Sequence, residues 1–282
     1  MDKVWIKAEF WVGQTFSYRA PDFSSNYALS SPLPGPSATK LALVSTAIEM
    51  SGDIDKGKQV FDIIKSAKVF WEPSEWVSIF KAFIKRLNYQ NPAEKAGKEG
   101  KEKAEENKGK CQACGRENVP RYKRADGKLT CAECAGIIWY SFGIREYCTY
   151  SGPIILYLGL SSESDAEQII NVLKQVRRMG SSDSILTLKC PPQILDKEPE
   201  LKYTYHPISQ VEIDTQNFTH RLVLPLKDLD ESDTFEKINP YESGNPKLKQ
   251  EVYIFPLKLE KKAENWTLYK KCSFNGLKET CS

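Results

Sequence analysis

Long apolar runs are missing from this sequence. No uninterrupted hydrophobic stretch approaches the ~20 residues that a helix needs to cross a bilayer. The start, MDKVWIKAEFWVG, has no basic segment leading into an apolar one, so neither a membrane span nor a secretory signal is read. The expectation is a soluble, cytoplasmic protein. Histidine is scarce too. His206 and His220 are the only two, and both fall in a β-rich tail, where each reads as a strand residue. There is no His-Glu-x-x-His, nucleophile elbow, P-loop or dinucleotide fingerprint. The acidic residues form no recognisable metal cluster. No catalytic residue is therefore assigned, although a metal-independent ribonuclease using His, Lys and Tyr would leave no compact motif. Net charge is nearly absent as well: 40 Lys and Arg oppose 37 Asp and Glu, so any basic surface must be local.

What is present begins with cysteine. Eight cysteines without a secretory signal argue against a disulfide framework. Cys148, Cys190, Cys272 and Cys281 are scattered and read as ordinary buried or tail thiols. Cys111, Cys114, Cys131 and Cys134 form Cys-x2-Cys, sixteen residues, Cys-x2-Cys. Each pair makes a knuckle presenting two thiolates, and four thiolates saturate a tetrahedral zinc ion, so the expected site is structural. A redox dithiol is the weaker alternative, because it wants a strand before it and a helix behind it. An iron–sulfur cluster competes for the same ligands.

Along the chain, Val4, Ile6, Ala8, Phe10 and Val12 alternate with Trp5, Lys7, Glu9 and Trp11, which marks a strand. The prolines of Ser31-Pro-Leu-Pro-Gly-Pro36 forbid helix. Ser37 is a natural N-cap for a helix carrying Leu41, Val44, Ala47 and Ile48 and ending at Gly52. Val60, Ile63 and Ile64 suggest a second helix and Val69–Trp71 a strand; Trp76, Phe80, Phe83, Ile84 and Leu87 fit a further helix face. From Asn91 to Lys110 no apolar side chain exceeds alanine, so a mobile tether is expected before the ribbon. Order returns at Ile137. Gly152–Gly159 reads as a buried strand, and Ser164 with Glu167 as a capping box. Ala166, Ile169, Ile170, Leu173 and Val176 form the face of the helix behind it, with Gly180 as its C′ residue, before a strand at Ile185–Lys189. Tyr203–Ile213, Phe218–Leu226, Glu251–Leu259 and Trp266–Cys272 are read as strands.

Several basic positions are candidate nucleic-acid contacts. Tyr18 and Arg19 can stack on a base and hold a phosphate. Ser37, Thr39 and Lys40 open a helix whose free N–H groups favour an anion. Lys174, Arg177 and Arg178 precede Gly180 and Ser181, a turn whose backbone can approach phosphate; the same cations also suit a helix C-terminus. The ribbon loop carries Arg116, Arg121, Lys123, Arg124 and Lys128 against Glu117 and Asp126, fit for contact with nucleic acid or a partner.

These residues resemble a family. The first strand runs into Phe16-Ser-Tyr-Arg19, then Pro32-Leu-Pro-Gly-Pro-Ser37, then the small-residue helix Ala38–Ala47. This is similar to the N-terminal half of the Cas five proteins of CRISPR effector complexes, with Leu33 and Gly35 departing from the usual turn. Tyr157-Leu-Gly159 and Arg177-Arg-Met-Gly-Ser-Ser182 resemble the second half of RAMP proteins with its glycine turn. The resemblance implies an α+β, ferredoxin-like (RRM-related) fold with β-rich additions. Residues 1–90 and 137–282 would form the body, and 91–136 an inserted tether and zinc ribbon. It further implies a non-catalytic subunit of a Cascade-type complex that holds the 5′ handle of the guide RNA beside backbone and large subunits, with target DNA in reach. Some members of that family instead process the guide precursor as metal-independent ribonucleases. A third reading is a zinc-ribbon nucleic-acid-binding scaffold unrelated to CRISPR.

Overall fold

The alternation at the N-terminus folds as a strand, and its core-facing set is Ile6, Ala8 and Phe10. The computed structural model describes residues 3–20, 27–124, 126–181, 184–212, 218–238, 248–275 and 277. Two units divide the chain: unit 1 is Met1–Ala82 with Ile144–Ser282, and unit 2 is Phe83–Gly143. Unit 1 opens with β1 (Val4–Val12), β2 (Tyr18–Arg19), β3 (Tyr27–Ala28), β4 (Ser30–Ser31), α1 (Pro36–Ser51), α2 (Ile54–Ile64), β5 (Lys68–Glu72) and the start of β6 (Trp76–Gln90). Unit 2 holds the rest of β6, α3 (Pro92–Lys95), α4 (Gly97–Glu106), β7 (Tyr122–Lys123), β8 (Leu129–Thr130), α5 (Ala132–Ala135) and the first part of β9 (Ile137–Tyr150). The chain returns to unit 1 with β10 (Ile154–Leu160), α6 (Glu163–Leu173), β11 (Leu186–Leu188), β12 (Gln193–Leu195), β13 (His206–Pro207), β14 (Arg221–Asp228), a helical turn at Phe235–Ile238, β15 (Lys249–Lys262) and β16 (Trp266–Lys271). Among the described residues no helix is long and apolar enough to cross a membrane.

Two strand–helix–strand segments interleave in the first sheet, whose order is β11-β1-β10-β5 with every pairing antiparallel. Val4 faces Leu160 and Phe10 faces Ile154 across β1 and β10, and Phe70 faces Tyr157 across β5 and β10. Because side chains alternate on a strand, one face gathers Ile6, Ala8, Phe10, Leu156, Leu158, Val69 and Trp71. These pack with Leu43 and Val44 of α1, Phe61 and Ile64 of α2, and Ile169 and Leu173 of α6. Each fully buried aliphatic or Phe side chain contributes about 1.5–3 kcal/mol. The second sheet runs β13-β15-β16-β6-β9-β3, with β14 also beside β15. It confirms the β-rich C-terminal part, although β14 and β15 exceed the expected strands at one or both ends.

Several local expectations need correction. Ser37 does not cap α1: Gly35 holds that position and Pro36 is N1, where its missing N–H is harmless. Gly52 does end α1, in the left-handed conformation at φ 68°. The helix read through Trp76–Leu87 is the strand β6. Its apolar residues fit both periods, and along the one face shared by Val77, Ile79, Phe83 and Leu87 burial gives way to exposure, with Val77 and Ile79 buried and Phe83 and Leu87 exposed. The expected tether is instead the pair α3 and α4. Asn91 caps α3 by accepting from the Ala93 N–H at 2.9 Å, and the Ala, Glu and Lys that make this stretch hydrophilic are strong helix formers. The α6 cap is Ser162, which accepts from Asp165 N at 3.1 Å, rather than Ser164. Gly180 lies beyond the end of that helix, at φ 91° in a separate turn. The strand read over Tyr203–Ile213 is broken into the short β13 between two 3-10 turns, because Pro207 has no N–H to offer a ladder. Ile213, Ser182 and Cys281 lie outside the described residues.

Candidate nucleic-acid interface and four-cysteine centre

The turn after α6 is bolted to the loop after β1. Ser17 O accepts from Ser181 N at 3.0 Å and from Ser184 Oγ at 3.1 Å, and Ser17 N donates to Ser184 Oγ at 2.9 Å. Gly180 makes the approach feasible: a Cβ there would sit 3.0 Å from Ser17 O, at a φ that side chains rarely adopt. Tyr18 follows on β2, held by Ser30 Oγ on its N–H at 3.0 Å. Its ring lies against Gly35, and its phenol bonds Ser37. Burial raises that phenol's pKa, and the Ser37 bond opposes the rise.

These pieces form one wall of a cleft of about 430 Å³, which brings Tyr18, Arg177, Arg178, Gly180 and Ser181 together. The opposite wall is the outer stripe of α1, Ala38, Leu41, Ala42 and Ser45, at the three- and four-residue spacing of one helix face. Sequence reasoning did not assign this stripe, though the small residues at 38, 42 and 45 signal it. Arg178 meets Glu49 at 3.6 Å with both side chains more than half exposed, a pair worth little in water. Lys174 caps the end of α6 and is exposed but does not line the cleft; Arg19 is exposed on β2.

Ser37, Thr39 and Lys40 face inward. Ser37 is 4% exposed. Thr39 Oγ1 donates to Gly35 O at 3.0 Å and accepts from Trp71 Nε1 at 2.9 Å. Lys40 Nζ lies 2.9 Å from Lys65 O and 2.8 Å from Asp228 Oδ1, with its side chain 2% exposed. None of the three lines the cleft.

In unit 2 the first knuckle closes with Cys111 N donating to Arg116 O at 2.7 Å and Gly115 N to Cys111 O at 2.9 Å. The β7–β8 hairpin carries the chain back to Cys131, which begins α5 and places Cys134 on it. The four Sγ atoms lie within 4.8 Å of one another, and Cys114 Sγ is 3.8 Å from Cys131 Sγ. A tetrahedral ion bound at ~2.3 Å to each sulfur spaces its ligands by about 3.8 Å, so the thiols fit such an ion. The backbone N–H of Cys114, then those of Cys131 and Ala113, draw the Cys111 thiol down to about 6. Hydrogen bonding to the Cys131 and Cys114 sulfurs, with burial and the Cys111 charge, pushes Cys134 up to about 12.

No family model matches the chain. A curated relative, the CRISPR-associated protein Cas5 of Archaeoglobus fulgidus, is 32% identical over 268 residues, covering 94% of this chain and 97% of the relative. The chain belongs to the Cas5 family. That excludes the scaffold unrelated to CRISPR. A crystal structure of a CRISPR protein from Archaeoglobus fulgidus is similar to this Cas5 chain with a TM-score of 0.42 at 11% identity, over 95% of this chain and 92% of that one. A CRISPR RNA-guided surveillance complex is similar with a TM-score of 0.33 at 10% identity, over 96% and 91%.

The ribbon loop of this Cas5 protein uses much of its charge internally. Arg116 pairs with Glu133 at 2.7 Å, and Arg121 bonds both the carbonyl and side chain of Asn107 at 2.8 Å. Arg124 reaches Asp126 at 3.7 Å and Cys134 O at 3.4 Å. Lys123 and Lys128 are exposed. His220 is exposed at φ 58° beside a bulge in β14. His206 is 4% exposed between the Phe70 and Phe274 rings, with Nε2 2.9 Å from Leu201 O. A carbonyl only accepts, so Nε2 carries the hydrogen. Burial lowers the His206 pKa more than its bonds to Leu201 and Gln210 raise it. Below about pH 6.5 the unfolded chain therefore takes up a proton that the folded chain refuses. Stability is expected to be full above that pH and to fall by at most about 1.4 kcal/mol per unit as pH drops toward the folded pKa. Urea unfolding of the parent and His206→Gln from neutral pH to about 5 checks this; identical slopes would refute it.

Proposed function

We propose that this Cas5 family protein is a non-catalytic RNA-binding subunit of a Cascade-type CRISPR complex, and that its cleft holds the 5′ handle of the guide RNA. The observation that carries the reading is the convergence of Tyr18 and Arg177–Ser181 across a smooth helix face. Arg177 and Arg178 take phosphates, the turn at Gly180 lets backbone approach backbone, and Tyr18 with Arg19 meets bases of a single strand. Small side chains along α1 let the strand lie close. Strand order β11-β1-β10-β5 is fourth-first-third-second along the chain, which supports a ferredoxin-like core of the RAMP kind. Backbone and large subunits, and target DNA, are the further partners of this reading. Lys123 and Lys128 are the ribbon's outward contacts. The engagement of His206 with Leu201 and Thr204 in the core supports a non-catalytic role over guide processing. Zinc is the ion proposed for Cys111, Cys114, Cys131 and Cys134, where four sulfurs leave no position for water and the ion acts as a cross-link.

Arg177→Ala is expected to weaken binding of a handle RNA about tenfold, and to lower the slope of log affinity against log salt by roughly 0.7. Fluorescence anisotropy from low to high salt reads both. Unchanged affinity and slope would overturn the cleft assignment. Incubating repeat RNA with the protein in EDTA tests the role itself, and cleavage lost in His220→Ala would overturn the non-catalytic reading.

A further inference from the structure

Among the described residues of unit 2 few apolar side chains are buried. Among its described residues the buried set is Ala104, Cys111, Thr130, Cys131 and Ala135. Two alanine methyls and two cysteine side chains are too little apolar surface to offset the conformational entropy of about 60 residues. Thr130 makes matters worse, because its buried Oγ1 has no hydrogen-bond partner. Ile84, Val119, Tyr122 and Leu129 are only half-buried, and six further large apolar side chains are exposed. Phe83, Leu87 and Tyr89 on β6 and Ile138, Tyr140 and Phe142 on β9 are all more than half exposed. They share one face of the paired strands: Lys85 Nζ sits 3.7 Å over the Tyr140 ring, whereas Asn88 and Ser141 bond on the other face. That face supplies no core. The surface ion pairs, such as Arg116 with Glu133, are exposed and weak. Unit 1, by contrast, is built round one large cluster with Phe10, Phe61, Trp71 and Leu158 fully buried.

The centre of unit 2 is where its chain segments are joined. Cys131 N donates to Cys111 Sγ at 3.3 Å, Gln112 N to Leu129 O at 3.1 Å, and Arg121 N to Ala104 O at 3.3 Å. The first two of these links join cysteines of the cluster or residues within two positions of one, and the third lies seven residues away. Without a cation those sulfurs hold only thiol hydrogen bonds, which are weak.

We infer that metal loading of Cys111, Cys114, Cys131 and Cys134 is the folding event of unit 2, so that metal supply orders or releases Phe83–Gly143 and its exposed aromatic face while unit 1 folds without metal. The inference rests on the proposed zinc centre and goes beyond it: a metal can be bound in a unit that would stand without it. Metal binding free energy is folding free energy where no other core exists.

The test uses the full chain, reduced, with zinc content measured by mass spectrometry and hydrogen–deuterium exchange read before and after chelation with EDTA. Exchange at amides of residues 104–135 is expected to quicken at least about tenfold on removal, while amides of β1, β10 and α1 change less than about twofold. Returning zinc should restore protection. Cys131→Ser should reproduce the chelated pattern, with unit 1 exchange reporting that the variant is folded. One bound zinc whose removal leaves exchange in unit 2 unchanged would overturn the inference and leave the zinc centre standing. Loss of protection in both units together would overturn it as well. Protein that binds no zinc at the four sulfurs, while unit 2 is protected, would overturn both.

Discussion

Lys40→Ala is expected to destabilise the protein by about 3 kcal/mol, because it leaves the Asp228 carboxylate, 30% exposed, without its cation. The ammonium lies 2.8 Å from Asp228 Oδ1 and 2.9 Å from Lys65 O, at the level of Thr39 and Trp71. Burial pulls the Lys40 pKa down and the Asp228 pKa up, and each is opposed chiefly by its partner's charge. Removing Lys40 leaves the Asp228 carboxylate without its cation and the Lys65 carbonyl without a donor. Two further variants separate pairing from packing. Asp228→Asn keeps the shape but removes the charge, and should cost nearly as much. The double replacement Lys40→Met with Asp228→Leu removes both charges and should recover most of the loss. Urea unfolding measures all three. A loss under about 1 kcal/mol for Lys40→Ala would mean that the ammonium is hydrated and available at the surface, which would return it to the list of RNA contacts.

Gly180→Val is the second large effect, expected at about 3 kcal/mol with loss of most handle binding. The backbone stands at φ 91°, where a side chain costs about 1–3 kcal/mol before any contact is counted. Its Cβ would then meet Ser17 O at 3.0 Å, Tyr18 Cβ at 3.3 Å and Phe16 at 3.4 Å. Ser17 O is backbone, fixed by Ser181 and Ser184, so the turn itself must move and carry Arg177 and Arg178 with it. Ser181→Ala is the control: the N–H bond to Ser17 O survives while the contact of its hydroxyl with Ser184 is lost. Stability within about 0.5 kcal/mol of the parent for Gly180→Val would show that the turn relaxes freely, and retained RNA affinity would detach the turn from the site.

The cysteine knuckles were legible because Cys-x2-Cys is local geometry, needing only a tight turn such as the one that Gly115 closes at φ 78°. The strands β1 and β10 and the helix α6 were legible for the same reason, since their burial period is written in consecutive residues. The stretch Trp76–Leu87 was not. Its apolar residues satisfy both periods, and the choice fell to its partners: Trp266 opposite Phe80, and β9 on the other side. The tether misled because hydrophobicity reports burial, while helix formation at Pro92–Glu106 follows propensity and capping. Of the candidate RNA-contact residues, Tyr18 and Arg177–Ser181 share the cleft, whereas Lys40 looked the same in sequence and is buried against Asp228.

The sequence by itself determined the two Cys-x2-Cys pairs, the strand β1 and the helices α1, α2 and α6, and the absence of any membrane-length apolar run. Each depends on residues a few positions apart, where covalent geometry sets what can meet. Tertiary structure alone decided that Ser17 and Ser184, 167 positions apart, clamp the glycine turn to the Tyr18 loop. It also decided that Lys40 is buried against Asp228, and that the buried residues described in unit 2 are Cys111, Cys131 and three small side chains. Those outcomes depend on which distant side chains exclude water together, and no local spacing carries that information.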